Sequence, residues 1–148
     1  MRTISLIVLA ALFGALNGCA ATPRLPNPDA IAADDVAFAS AEAASYVASE
    51  LPPASSTVWI AAPPPSKDAM PSPFTAATVA ALRDRGFAVA EDPAPATGAH
   101  VVRAGAAALD GGVLLLVDID GKAASRWYER NASGALQAAG AFAVRMPR

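Results

Sequence analysis

The residue of this chain whose type and setting point to a definite chemistry is Cys19, its only cysteine. A single thiol excludes an intramolecular disulfide, so it calls for another use. It follows Leu16-Asn17-Gly18 at the end of a long apolar run. Leu16 suits an apolar peptidase subsite, Gly18 leaves the bond after it accessible, and the Cys19 thiol is a nucleophile able to accept a diacylglyceryl group. The chemistry expected is cleavage between Gly18 and Cys19 with lipidation of the new terminal cysteine.

The flanking residues agree with that expectation. Arg2 supplies a short positive region, and Ile4 to Leu16 (ISLIVLAALFGAL) is an unbroken apolar and small-residue stretch of signal-peptide length. It is too short to span a bilayer, which takes about 20 apolar residues, and Asn17, Arg24 and several prolines interrupt it. Leu16-Asn17-Gly18-Cys19 resembles the lipobox of bacterial lipoproteins. Two or three acyl chains, palmitate among them, hold a protein stably at a membrane where a single chain does not. Ala20 and Ala21 follow the cysteine in place of the aspartate associated with inner-membrane retention. The expected location is therefore the periplasmic face of the outer membrane, with the lipid anchor as the membrane contact.

No other constellation supports catalysis. His100 is the single histidine, which excludes a pair of histidine metal ligands, and its place in a strand suits a paired, half-exposed structural role. No serine has a base neighbour in sequence. Asp118-Ile119-Asp120-Gly121 begins like a calcium loop but lacks the later glutamate such a loop requires. Asp34-Asp35 and Glu91-Asp92 read as solvated caps and turns. The Asn131-Ala132-Ser133 sequon carries little weight behind a bacterial signal. The chain is expected to be no enzyme, with no catalytic residue, cofactor, metal or small-molecule substrate.

Residues 1–18 contain one base, Arg2, and no acid, so the 130 residues after them carry ten bases against thirteen acids, a net charge of about −3. That balance does not suggest nucleic-acid binding. The length suits a tether and one domain with a genuine core. Alanine supplies much of the apolar content. Trp59, Trp127, Tyr46, Tyr128, Phe38, Phe74, Phe87 and Phe142 lie far apart and are expected to gather in the core, since large rings dominate core energetics.

The organisation follows from turn and cap signals. Residues 1–18 form the signal peptide, 19–28 the lipidated cysteine and Pro-rich tether, and 29–148 one domain. Asn27 with Pro28 could start a helix in which Val36, Ala39, Ala43, Tyr46, Val47 and Leu51 share a face, ended by Pro52-Pro53. Thr57 to Ala61 reads as a strand, and Pro63-Pro64-Pro65 opens a stiff exposed loop. Ser72-Pro73 starts a second helix that Gly86 ends, and Arg83 and Arg85 suit its C-terminal dipole. Strands follow at Phe87 to Glu91, His100 to Ala107, Val113 to Ile119 and Ala138 to Met146, with turns at Asp92 to Gly98, Asp110-Gly111-Gly112 and Asn131 to Gly134.

Asp120-Gly121 is the strongest hairpin signal and favours a type I′ turn. A two-residue loop there sets Ile119 opposite Lys122, Val117 opposite Ala124, Leu115 opposite Arg126 and Leu114 opposite Trp127. Opposed residues share a face. Leu114, Leu116 and Trp127 are then expected against the helices, with Arg126 and Tyr128 on the other side. In the last strand Phe142 and Val144 share one face and Arg145 takes the other. The fold class is α+β, two helices on one face of a mostly antiparallel sheet of four to five strands.

The stretch FTAATVAALRDRGFAVAE (Phe74 to Glu91), the hairpin, Ser125-Arg126-Trp127-Tyr128 and the run Gly134 to Arg145 resemble the conjugal-transfer lipoprotein family TrbH. Length, lipobox and element order agree, over most of the chain after the signal. The resemblance implies a structural, interaction component of a conjugative type IV secretion apparatus, the mating-pair-formation complex, with other channel subunits as partners. It carries no catalytic residue over. The face expected to meet a partner is the one with Arg126, Tyr128 and Arg145, or else a sheet edge by strand addition. The competing reading is a generic envelope lipoprotein acting as an assembly or transport accessory factor.

Overall fold

A computed structural model describes residues 31–61, 72–90 and 97–146. The expected signal peptide, tether and Asn27-Pro28 cap, together with Cys19, the triple proline and the Glu91-Asp92 pair, lie outside these residues. Among the described residues two helices, α1 (Ala33–Glu50) and α2 (Pro73–Asp84), accompany seven strands. The strands are β1 (Thr57–Ile60), β2 (Ala88–Ala90), β3 (His100–Leu109), β4 (Gly112–Ile119), β5 (Lys122–Arg130), β6 (Leu136–Ala138) and β7 (Ala143–Arg145).

Local chemistry accounts for most of the boundaries. α1 begins at Ala33 after Ala32, which offers no side-chain cap, so the helix starts later than Asn27-Pro28 would set it. Its end matches the double proline: Leu51 closes α1 by donating its N–H to Val47 O at 2.9 Å. α2 starts as its signal indicates. The Ser72 hydroxyl accepts from Thr75 N–H at 3.2 Å, Pro73 takes the first turn, and Gly86 at φ 86° reverses the chain after the last turn.

The sheet runs β2-β1-β3-β4-β5-β6, with β7 also on β5. Seven strands replace the four to five expected, for two reasons. First, β1 pairs with both β2 and β3 in parallel, because α2 carries the chain from β1 back to a neighbouring position as β2. Second, the strand expected at Ala138 to Met146 is two short ones. Tyr128 pairs with Ala138, and Ser125 with Ala143. Four edge residues, 139–142, thus stand opposite Arg126 and Trp127. The excess of two residues is even, so side-chain alternation survives the bulge and Phe142 and Val144 stay on one face.

The expected β4–β5 register holds in full: Ile119 with Lys122, Val117 with Ala124, Leu115 with Arg126 and Leu114 with Trp127. Asp120 at φ 53° and Gly121 at φ 89° are both left-handed, as a type I′ turn requires. The β3–β4 hairpin also turns in two residues, Asp110-Gly111, because Gly112 already pairs with Leu109. Gly112 therefore belongs to the strand.

Which face the helices cover is the reverse of the expectation. Val113, Leu115, Val117 and Ile119 of β4 are buried in one core with Val58, Val102, Ala106, Ala124 and Tyr128. From above, α1 contributes Ala39, Ala43, Ala44, Tyr46 and Val47, and α2 contributes Phe74 and Leu82. Leu114, Leu116 and Trp127 lie on the other side and are only half-buried. Nearly every residue of β4 is apolar, so alternation along that strand alone does not mark the inside. Phe38, Tyr46, Phe74, Phe87, Phe142 and Tyr128 gather in or against the core, while both tryptophans stand on the opposite face.

Candidate interaction surface

The covered face is tied down by charge as well as by apolar packing. Along α1, Asp35, Glu42 and Glu50 recur at intervals of seven and eight, and along β5, Lys122, Arg126 and Arg130 recur every four. Seven or eight helical residues advance about 10–12 Å and four strand residues about 13 Å, so the two rows match. Arg130 Nη2 donates to Asp35 Oδ2 at 2.5 Å, Arg126 Nη1 stands 3.6 Å from Glu42 Oε2, and Lys122 Nζ donates to Glu50 Oε2 at 2.6 Å. The helix therefore runs antiparallel to β5 and is joined to it through these side chains.

Tyr128 belongs to this seam. Its hydroxyl donates to Glu42 Oε2 at 2.7 Å, its ring meets Phe38 edge-on with centroids 5.2 Å apart, and it is 1% exposed. Burial, then the Glu42 hydrogen bond, pushes its pKa far above the ordinary 10.0. Arg126 lies over the Tyr128 and Phe142 rings at 5.4 and 5.1 Å and donates from Nε to Gly140 O at 2.7 Å. That bond braces the bulge between β6 and β7.

The three residues expected to form a partner face are thus not together. Arg126 and Tyr128 are under α1, whereas Arg145, the register partner of Ala123, is exposed on the opposite side. Neither sheet edge offers a long strand for strand addition: β2 on one side and β6 and β7 on the other are three residues each, and the bulge interrupts the second edge.

His100, Asp118 and Asp120 hold backbone at the β3–β4–β5 end of the sheet. His100 Nδ1 is 2.7 Å from Asp120 Oδ2, and Asp120 Oδ1 accepts from Val101 N–H at 2.8 Å. Burial works to raise the Asp120 pKa, but the bonds from His100 and Val101 outweigh it and hold the carboxyl below its usual range. Asp118 Oδ1 accepts from Gly121 N–H at 3.1 Å and pairs with Arg103 at 3.3 Å. The aspartates that begin like a calcium loop thus hold the hairpin instead. Asn131 Oδ1 likewise accepts from Ser133 and Ala135 N–H groups and shapes the next turn.

Arg85 does more than complement a helix end. It donates to Ala81 O on its own helix and reaches Ala41 O and Ser45 Oγ of α1 at 3.1 and 2.7 Å, joining the two helices. Neither this clamp nor the α1–β5 seam was legible from neighbouring residues. The one available signal for the seam was the fourfold spacing of bases on β5 matched by heptad-like acids on α1.

What remains open is the face away from the helices. Register sets Leu114 beside Ala107 and Trp127, and Leu116 beside Gly105 and Ser125, with Trp59 and Val101 paired on the same side. On this side Leu114, Leu116 and Trp127 are half-buried, and Gly105 and Ala107 are buried. Arg103, Asp118 and Arg145 rim one end, and Glu129, bonded by Gln137 at 3.1 Å, the other. A half-buried apolar centre within a polar rim has the anatomy of a protein-binding surface.

Among the described residues no helix is long and apolar enough to cross a membrane. Comparison with curated proteins and with solved structures gives no match. A family model described as conjugal transfer protein TrbH matches residues 21–146, spanning both helices and all seven strands described above. The chain belongs to the TrbH family of conjugal transfer proteins.

Proposed function

We propose that this protein is a lipid-anchored structural subunit of a conjugative type IV secretion apparatus, held at the periplasmic face of the outer membrane through Cys19. Its work is adhesion: lipid holds one end, and the sheet offers a surface to other components of the machine. No bond-making step is assigned to it. The observation that carries the reading is the apolar sheet face around Leu114, Leu116 and Trp127, left open by both helices, in a chain of the conjugal transfer family. The sequence Leu16-Asn17-Gly18-Cys19 supports the anchor.

The test is made in a host carrying the complete transfer system. Labelled palmitate should enter the wild-type chain and not Cys19→Ser, the label should fractionate with the outer membrane, and affinity purification should recover other transfer subunits. Absence of label, or recovery of no transfer subunit, would overturn the proposal.

A further inference from the structure

We propose that the β7 margin of the sheet is a second membrane contact, in which Val144, Arg145 and Met146 rest on an anionic lipid surface; this rests on the lipid anchor proposed above. Among the described residues three large apolar side chains stand exposed: Leu109, Val144 and Met146, at 49%, 49% and 66%. Two of the three belong to one patch, Val144 in β7 and Met146 just after it. Val144 is the register partner of Ala124, a core residue, and so stands on the helix side at the margin of the sheet. Phe142, two positions before it, is half-buried against the Tyr46 ring with centroids 4.4 Å apart. The apolar line thus begins in the core and runs out into solvent.

Charge selects the occupant. Arg145 lies between Val144 and Met146, is exposed, and among the described residues pairs with no acid. The acids at that end of the sheet, Glu50, Asp118 and Asp120, are each held, by Lys122, Arg103 and His100. The opposite end is acidic and exposed: Asp110 in the β3–β4 turn, Glu129 opposite Gly112, and Asp34 beside the Asp35–Arg130 pair. Leu109 stands among those acids, which an anionic surface repels, whereas Val144 and Met146 flank a surplus base that it attracts. Arginine also reaches headgroup phosphate while its stem stays among apolar neighbours. A protein partner needs about 800 Å² of matched surface, which a three-residue strand at a margin does not offer. A lipid surface requires no matching shape.

The span from the anchor permits this contact. Arg130, bonded to Asp35 in the first turn of α1, is five and seven positions along β5 from Ser125 and Ala123, the partners of Ala143 and Arg145. That separation is about 17–23 Å. The twelve residues from Cys19 to Ala30 can reach up to about 40 Å. Two apolar side chains and one base are too weak to hold a free protein at a surface, but an anchored chain meets that surface at high effective concentration. The anchor therefore holds the domain at the membrane, and β7 sets which way it faces.

The experiment uses the full-length, lipidated chain in vesicles of phosphatidylethanolamine and phosphatidylglycerol. Ala143→Cys, exposed on β7, carries a fluorophore, and Asp110→Cys at the far turn carries the same fluorophore as control. Sedimentation with the vesicles reports the anchor, and quenching of the fluorophore by spin-labelled lipid reports contact at β7. Quenching at position 143 should exceed that at 110 about threefold. It should fall to the level of 110 when Val144→Asp and Met146→Asp are combined, with Arg145→Glu alone, or when phosphatidylcholine replaces phosphatidylglycerol, each with sedimentation unchanged. Thermal melting confirms folding of each variant. Equal quenching at the two positions in chains that sediment, or quenching indifferent to these changes, would overturn the inference and leave the anchor standing. A chain that does not sediment would overturn the anchor, and the β7 contact with it.

Discussion

The hydroxyl of Tyr128 donates to the Glu42 carboxylate at 2.7 Å, joining β5 to α1 across 86 positions of sequence. Hydrogen bonds to charged groups contribute about 1.5–3 kcal/mol. Tyr128→Phe keeps the ring against Phe38 and removes only this bond. It should destabilise the fold by about 2 kcal/mol, read as a lower midpoint in urea denaturation with unchanged slope.

The chain has two tyrosines, and both phenols are held above the ordinary 10.0. Burial is the larger cause for each, followed by the Glu42 hydrogen bond at Tyr128 and by the charge of Glu50 at Tyr46. A raised phenol contributes stability that is complete below pH 10 and is lost as pH climbs through its folded value. Ultraviolet titration should show little phenolate at about pH 10 in the folded chain, and about half ionisation once it is unfolded. Half ionisation in the native state would contradict the buried seam.

Gly112 has no room for a side chain. A Cβ there would collide with the Tyr128 carbonyl oxygen and the Trp127 ring. Backbone cannot yield cheaply, so Gly112→Ala should cost about 3 kcal/mol. Gly86, at φ 86° in open space, carries only the conformational penalty, and Gly86→Ala should cost about 1 kcal/mol. Thermal melting of the two variants tests this ordering.

Arg130 neutralises Asp35, a carboxylate only 5% exposed. Arg130→Ala strands that charge and should cost about 2 kcal/mol. Arg145 is exposed on the open face, and Arg145→Ala should change stability by less than about 0.5 kcal/mol. Equal melting temperatures for the two variants would show that the Arg130–Asp35 link contributes nothing.

The Glu50–Lys122 pair predicts a pH window. The hydrogen bond from Lys122 is the chief cause that holds Glu50 below 4.5, and the same bond holds Lys122 above 10.5. Glu50's contribution is in place above 4.5 and fades as pH falls through its lowered value. Lys122's is in place below 10.5 and fades as pH rises through its raised one. Denaturation midpoints of wild type and Glu50→Gln should differ between about pH 5 and 10 and converge at both extremes. A constant difference across the whole range would remove the ion pair as its cause.

Features carried by neighbouring residues were legible without the fold. Ser72-Pro73 caps a helix through its own hydroxyl, and Asp120-Gly121 adopts the left-handed pair that sets the β4–β5 register residue by residue. Both effects act within four positions, so composition and spacing suffice. Tertiary structure alone decided which side of that register lies inward. Lys122, Arg126 and Tyr128 look like an outer face until Glu50 and Glu42, 72 and 86 positions away from Lys122 and Tyr128, are brought over them. The break of the last strand into β6 and β7 was equally hidden, since it depends on Arg126 of β5 holding Gly140 O. Burial and charge pairing are sums over the whole assembled chain, and a strand apolar on both sides carries no local mark of its inner face.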